Sequence, residues 1–161
     1  MLKNKLLLIL FPCLLLSLCF NSVFAQQNND TQEIQEVIER FLMAFANNDL
    51  EYLMQQFSPN YLGESENKPM DFEGLKSFYK DLMAKFFENN EGYTYSDVKI
   101  SNLDIKDDKA TLELESKHKI LILGTAKAEV SVKHRKISLV KENGSWKIVN
   151  IVTLKISTPS S

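Results

Sequence analysis

Apolar residues recur with helical spacing through the first half of the chain, in three segments. The first segment starts at Asp30, which is predicted to be an N-cap with Glu33 as its capping-box partner. Its apolar positions follow the pattern of one helix face: Ile34, Val37, Ile38, Phe41, Leu42 and Phe45. Asp49 and Asp71 are predicted to cap a second, shorter helix and a third, longer one.

The segment between the second and third helices lacks this periodicity. Pro59 is expected to end the second helix, because proline removes a backbone donor and restricts the residue before it. Tyr61-Leu62 is predicted to form a short strand, and residues 63–69 a polar loop. Gly92 is the predicted terminator of the third helix.

Beyond Gly92 the hydrophobic period changes to two, which is typical of strands. Four long strands are predicted, with short turns that include a strong hairpin signal at Asn143-Gly144. Parity changes predict one bulge between Ile100 and Leu103 and another near Arg135. Helices followed by strands define an α+β domain, with three N-terminal helices packed on a curved antiparallel sheet.

The first 25 residues have the composition of a secretory signal peptide. Lys3 and Lys5 precede an apolar run over residues 6–20, and Val23-Phe24-Ala25 provides a small-residue exit. The run is shorter than the about 20 apolar residues that a spanning helix needs. We therefore expect cleavage after Ala25 and a secreted or periplasmic product without a stable membrane span. The alternative is a lipoprotein processed at Cys19, which the bulky leucine before that cysteine disfavours.

Cleavage would change the composition of the chain. Both cysteines, Cys13 and Cys19, would be lost, so no disulfide and no thiolate metal ligand is expected. Loss of two lysines would change the net charge from −2 to −4, and this mild acidity argues against nucleic acid as a partner. Residues 26–30 are expected to be disordered, residues 31–156 to form one domain, and residues 157–161 a flexible tail.

Five segments share the pattern of a known group of proteins: Ile34–Phe41, Ala44–Glu51, Phe57–Tyr61, Phe72–Leu75 and the hairpin Asn143–Val149. They resemble the nuclear transport factor 2-like superfamily, which includes the SnoaL-like and ketosteroid-isomerase-like proteins. The resemblance implies a cone-shaped α+β fold with a pocket in the concave face of the sheet. Members include isomerases, dehydratases, cyclases, hydrolases and binding domains, so the fold alone does not define a function.

His118 and His134 are the only histidines of the chain. Both fall on the predicted apolar face of neighbouring strands, so each is a candidate pocket residue and general acid or base. A two-residue turn at Gly124-Thr125 would pair His118 with a residue near Ser131. The alternative is that each histidine is a half-buried strand residue without a catalytic role. No third metal ligand is evident, and the sequence contains no phosphate-binding loop, nucleophile elbow or zinc motif.

The implied pocket is expected to be lined by aromatic residues: Phe41, Phe45, Tyr52, Tyr61, Tyr79 and Trp146. Isomerase and dehydratase members of the superfamily place carboxylates in this pocket. No Asp or Glu lies plainly on an inward position here, which disfavours an enzyme of that type. A basic stripe is predicted to be a solvated face, with contact to an anionic partner as the alternative: Lys133, Arg135, Lys136 and Lys141.

The leading hypothesis is a non-catalytic domain that binds an apolar small molecule or assembles as a homodimer. The dimer contact is expected where apolar residues interrupt the outer face of the sheet: Leu121, Leu123, Ile137, Leu139, Val149 and Ile151. The second hypothesis is a small isomerase, dehydratase or hydrolase with a histidine as proton carrier. The third is a partner-binding module of an envelope or secreted complex. Asn29 and Asn143 match the glycosylation motif, which matters only in a host that glycosylates secreted proteins.

Overall fold

The computed structural model describes residues 28–65, 68–125 and 127–158. The predicted signal peptide lies outside the described residues, and so do residues 26–27 and the last three residues of the predicted tail.

The chain separates into two compact units, Met1–Ile34 and Gln35–Ser161. The described residues of the first unit are all helical, and every strand belongs to the second unit.

The first helix, α1, includes residues 28–46. The helix therefore contains Asp30, so the predictions of an N-cap at Asp30 and of disorder up to that residue are wrong for the described positions. Asn29 Nδ2 donates to Glu33 Oε1 at 2.7 Å, an i,i+4 contact inside a helix. An aspartate is tolerated within a helix, and nothing in this sequence forces the helix to begin there.

The predicted caps of the next two helices are confirmed. Asp49 precedes α2 (Leu50–Met54), and its side chain accepts a hydrogen bond from the backbone N–H of Tyr52 at 2.9 Å. Asp71 precedes α3 (Phe72–Asn89) and accepts from a backbone N–H of the first turn at 2.8 Å.

The third helix ends without glycine. Asn90 already has an extended backbone, and its side chain donates to the Phe86 carbonyl at 2.7 Å. This bond satisfies one of the free carbonyls at the helix end. Gly92 lies in the following strand, so its predicted role as helix terminator is wrong. None of the helices in the described part of the chain has the length and hydropathy required to cross a membrane.

A small hairpin follows α2. Strands β1 (Gly63–Ser65) and β2 (Lys68–Met70) pair antiparallel, whereas Tyr61-Leu62 lies outside any strand. The prediction of a strand at Tyr61-Leu62 and a loop after it is therefore wrong. The polar composition concealed a two-stranded pairing, in which proline is tolerated because both strands are edges.

Four long antiparallel strands form the main sheet, in the order β3-β4-β5-β6. Their bounds are Asn90–Lys106 (β3), Lys109–Ile122 (β4), Ala128–Glu142 (β5) and Ser145–Ser157 (β6). The predicted α+β class, with helices followed by about four long strands, is confirmed.

The register differs between strand pairs. The β3–β4 pairing shifts between Ser101 and Asp104, which confirms the predicted bulge there. The β4–β5 pairing is continuous from Lys109 to Leu121. The bulge expected in β5 near Arg135 lies instead in β6, because Arg135 pairs with Thr153 while the preceding residue pairs two positions further along β6.

The segment after α2 is fixed to the start of β6. The Ser58 N–H donates to the Ile148 carbonyl and the Ile148 N–H donates to the Gln56 carbonyl, both at 2.9 Å. The fully buried Ser58 hydroxyl donates to Glu142 Oε1 at 2.7 Å. These bonds hold the helical layer against the β5–β6 end of the sheet.

The hydrophobic core covers one face of the sheet, called here the inner face. It is defined by its fully buried residues: Leu112, Leu114, Ile137, Leu139 and Ile148. Ile137 lies opposite Leu112, and both side chains are at most 1% exposed. The expectation that Ile137 and Leu139 belong to an outer apolar patch is therefore wrong, whereas Leu121 and Leu123 are exposed.

The β5–β6 hairpin turns through Asn143 and Gly144, whose φ angles are 51° and 78°. Positive φ at both central residues is the geometry of a two-residue hairpin turn with a mirror-image twist.

Gly144→Ala is expected to lower the free energy of unfolding by about 1 kcal/mol, because a side chain is strained in this region. Denaturant unfolding would measure the loss. Gly92→Ala is the control, since its new Cβ would lie 3.4 Å from Leu121 Cδ1, an ordinary contact. Equal losses would contradict the prediction.

Candidate functional site

A cavity of about 810 Å³ lies between the helices and the sheet of the second unit. Six aromatic residues line it: Phe41, Phe45, Tyr61, Phe78, Tyr79 and Tyr93. Seven aliphatic residues and a glycine complete the apolar lining: Leu42, Leu62, Gly63, Met70, Leu75, Leu82, Ile151 and Val152. Four polar residues remain: Lys133, Arg135, Asn150 and Thr153.

Phe45 is the centre of the aromatic wall. Its ring centroid lies 5.1 Å from that of Tyr93, 5.8 Å from that of Phe86 and 6.4 Å from that of Tyr79, with steep interplanar angles. Edge-to-face packing of this kind is a favoured aromatic arrangement. The wall therefore joins α1, α3 and β3 through ring contacts.

The mouth of the cavity is apolar. Three of its lining residues are among the exposed large hydrophobic residues of the described chain: Leu62, Phe78 and Leu82. An apolar surface at the edge of a cavity favours the entry of apolar molecules.

Tyr61 occupies space that glycine leaves open. A Cβ added at Gly63 would lie 2.6 Å from Tyr61 Cε1, which is closer than atoms can approach. Gly63 therefore permits the tyrosine ring to lie against the backbone at the cavity wall.

Two cationic side chains point into the cavity from β5. Lys133 lies opposite Ser116 and Arg135 lies opposite Leu114. Directly opposed residues of antiparallel strands share a face, and both β4 partners are buried on the inner face. The predicted solvated stripe is thus wrong for these two residues, whereas Lys136 is exposed on the opposite face.

The two cations lack carboxylate partners. No ion pair within the described residues involves Lys133 or Arg135, and the lining residues include no Asp or Glu. Arg135 Nη1 is buried without a hydrogen-bond partner, and the guanidinium carbon lies 6.0 Å from the centroid of the Phe41 ring. Burial, and secondarily Arg135, lowers the pKa of Lys133 to about 8.

The tyrosine hydroxyls of the cavity stay protonated at neutral pH. Burial raises the pKa of Tyr93 to about 12, although Arg135 acts in the opposite direction. Burial also raises the pKa of Tyr79 and of Tyr61. These hydroxyls are therefore neutral hydrogen-bonding groups beside the two cations.

His118 is fully buried beneath the cavity and is not part of its lining. Its Nδ1 hydrogen-bonds with the Tyr93 hydroxyl, and its Nε2 lies 2.7 Å from Ser116 Oγ. Burial, followed by the nearby Lys133 and Arg135, lowers its pKa to about 3. The imidazole is thus a neutral hydrogen-bonding centre, and it pairs in register with Ser131 as predicted.

His134 lies on the outer face of the sheet, opposite Glu115. Its Nε2 lies 3.1 Å from Glu115 Oε2, and both side chains are about two-fifths exposed, at 39% and 43%. The prediction that His134 shares the inward face is wrong. The alternation of Val130, Val132 and His134 describes the outer face, because Ile137 and Leu139 fix the inner one.

The other predicted pocket residues divide into two groups. Phe41, Phe45, Tyr61 and Tyr79 line the cavity, as described above. Tyr52 and Trp146 are not among the lining residues. Trp146 is buried, and Lys141 Nζ lies 5.8 Å from the centroid of its ring system. Over the described ranges, no group of three or more His, Cys, Asp or Glu side chains is placed to bind a metal ion.

Solved structures share this fold. A nuclear transport factor 2-like superfamily protein from Salmonella enterica is 19% identical, with a TM-score of 0.63 over 84% of this chain and 94% of that one. A proposed scytalone dehydratase from Novosphingobium aromaticivorans is 13% identical, with a TM-score of 0.63 over 84% and 91%. A hexachlorocyclohexane dehydrochlorinase of LinA type 3 from Novosphingobium barchaimii is 9% identical, with a TM-score of 0.61 over 83% and 92%.

No protein-family model matches the sequence, and no curated protein is significantly similar to it. The structural similarity confirms the nuclear transport factor 2-like fold that the sequence segments predicted. At these identities the similarity concerns the fold and not the chemistry of the cavity.

Replacement of Lys133 by an apolar residue is expected to stabilise the protein. Lys133 carries a partly buried ammonium with no carboxylate counterion among the described residues, so Lys133→Met should raise the free energy of unfolding by about 1–3 kcal/mol at neutral pH. Between pH 8 and 10.5 the unfolded lysine binds more proton than the folded one, so wild-type stability gains from rising pH and the difference should shrink. Urea unfolding across this range would measure both effects. This account would be refuted if Lys133→Met were less stable than the wild type, or if the difference between their free energies of unfolding did not change with pH.

His118 is expected to remain neutral in mildly acidic solution. Its imidazole C2 proton should keep the neutral chemical shift in NMR spectra down to about pH 4, because its pKa lies near 3. The unfolded histidine binds a proton below pH 6.5, so this site lowers stability as the pH falls from 6.5 towards 3. His134→Asn would assign the two histidine signals. A His118 titration midpoint near 6.5 would contradict the buried, hydrogen-bonded arrangement.

Proposed function

We propose that this domain binds a small, ring-bearing organic molecule in the cavity and that it does so outside the cytoplasm. The cavity itself carries the proposal. Its volume of about 810 Å³ falls within the range of small-molecule sites, and six aromatic rings line it. Large apolar side chains at the mouth would extend the contact with an entering ligand.

Binding accounts for the site better than proton-transfer catalysis by histidine. His118 is sealed under the lining and has a pKa of about 3, so it accepts no proton near neutrality. His134 faces away from the cavity. The lining residues include no carboxylate to act as a base instead. The enzyme hypothesis therefore loses the proton carriers on which it was based.

The structural neighbours support a small-molecule ligand. One is a dehydrochlorinase of hexachlorocyclohexane and another is a proposed scytalone dehydratase, and both names refer to compact organic compounds. These names indicate that proteins with this fold can act on small organic molecules. Their chemistry is not transferred to this chain.

Location and assembly are part of the proposal. The export signal predicted at the N-terminus supports action in the periplasm or outside the cell. Homodimerisation stays a prediction, now without Ile137 and Leu139, which lie in the core, and without Ile151, which lines the cavity. Binding to a larger envelope or secreted complex would use the outer face of the sheet and leave the cavity available.

A neutral fluorescent probe tests the binding proposal. Phenylnaphthylamine consists of two joined aromatic groups without charge, and its fluorescence should increase on titration with the purified protein. Thr153→Trp places a bulky ring at the rim beside Arg135 and should weaken binding by about tenfold or more. Lys155→Trp adds the same ring on the outer face, opposite His134, and should bind the probe like the wild type.

Two results would oppose the proposal. The first is the absence of probe binding to the folded wild-type protein. The second is equal weakening by Thr153→Trp and Lys155→Trp, which would place the bound probe outside the cavity.

A further inference from the structure

The cavity contains an uncompensated positive charge. Lys133 and Arg135 lie two positions apart on one strand, so their Cα atoms are about 7 Å apart and their side chains extend from the same face. The described residues that line the cavity around them include no Asp or Glu. Arg135 Nη1 is buried and has no hydrogen-bond acceptor among the described residues. A buried cation without an acceptor is destabilising unless another molecule supplies the missing charge.

Nothing else in the lining replaces a counterion. The three tyrosine hydroxyls can accept hydrogen bonds but carry no negative charge at neutral pH. The ring of Phe41 faces the guanidinium at 6.0 Å, which is a weak partner compared with an anion. A ligand that enters the cavity can supply the acceptor that Arg135 Nη1 lacks among the described residues.

The uncharged lining residues indicate the chemistry of the rest of the ligand. Aromatic and aliphatic residues outnumber the polar ones in the lining, and their carbon surfaces would contact the apolar part of a bound molecule. A free inorganic anion would satisfy the cations but leave this apolar volume without a partner.

We propose that the ligand is a ring-bearing organic acid whose single anionic group is held between Lys133 and Arg135 while its ring lies against the aromatic wall. This inference rests on the proposed function and specifies the chemical class of the ligand. A carboxylate or sulfonate suits the planar fork of arginine, which donates two parallel hydrogen bonds to such groups.

The arrangement predicts a pH dependence of binding. The groups that face Lys133 are Arg135 on its own strand, His118 on β4, Tyr93 on β3 and Tyr79 on α3, together with Tyr61. Arginine does not deprotonate, His118 is already neutral above pH 4, and burial keeps the tyrosines protonated. Lys133 is thus the group whose charge changes between pH 7 and pH 9.5.

A matched pair of probes tests the inference. Anilinonaphthalenesulfonate has the skeleton of phenylnaphthylamine plus one sulfonate, which stays ionised throughout this pH range. The wild-type protein should bind the anionic probe about tenfold more tightly or better at pH 7, and this ratio of Kd values should fall as the pH rises to 9.5.

Four variants locate the charge effect. Lys133→Gln and Arg135→Met should each reduce the ratio of the two Kd values by about tenfold. Arg135→Lys should restore part of it, because the charge remains while the bidentate geometry is lost. Lys136→Met removes the same charge from the outer face of the same strand and should leave the ratio unchanged.

The outcomes separate this inference from the proposed function. Neutral-probe binding with a ratio near one, or a ratio that Lys133→Gln and Arg135→Met leave unchanged, would overturn the inference and leave the binding function standing. A ratio that Lys136→Met reduces as much as Lys133→Gln would also overturn it, since the effect would then be one of general charge. Failure of both probes to bind would overturn the proposed function itself.

Discussion

The continuous register between β4 and β5 is the constraint on which the site depends. Ile137 and Leu139 must be buried against Ala110 and Leu112, because the core at this end of the sheet consists of such pairs. Side chains alternate along a strand, so the unbroken pairing carries Arg135 and then Lys133 to the same face. The burial of Ile137 and Leu139 thus determines on which face of the sheet the charges of Arg135 and Lys133 lie.

The inner face of the sheet consequently has two zones. Near the β5–β6 hairpin it is apolar, and Ile148 and Trp146 complete it. Further along β4 and β5 it becomes polar, and the buried Ser116 and His118 hydrogen-bond to each other beneath the cavity. The hydrogen bond of His118 to Tyr93 joins this layer to the aromatic wall. One sheet thus supports both a conventional core and a cavity of mixed character.

Features that depend on a few neighbouring residues could be predicted from the sequence, whereas features that depend on contacts between distant segments could not. Asp49, Asp71 and Asn143-Gly144 were identified because capping and tight turns depend on a few neighbouring residues. The sequence predicts the wrong inward face for β5, because Val130 and Val132 alternate like a buried side and the change of parity near Arg135 resembles a bulge. Alternate positions before Ile137 include Arg135 and Lys133, so the burial of Ile137 places both on the inner face. That Ile137 itself faces inward depends on the pairing of β5 with β4, which the sequence does not reveal. The β1–β2 hairpin was missed since its residues have little strand propensity.

The pairing of β6 with β5 is shifted twice, between Lys155 and Thr153 and between Asn150 and Ile148, and this affects how many copies behave in solution. The first half of β6 is covered by the segment after α2, where the Leu62 N–H donates to the Val149 carbonyl. The second half is the edge of the main sheet and exposes Leu154 and Ile156. A flat apolar edge would recruit strands of other molecules and lead to polymerisation. The register shift at Leu154 interrupts the regular spacing of backbone donors and acceptors in this exposed half, which disfavours edge-to-edge aggregation.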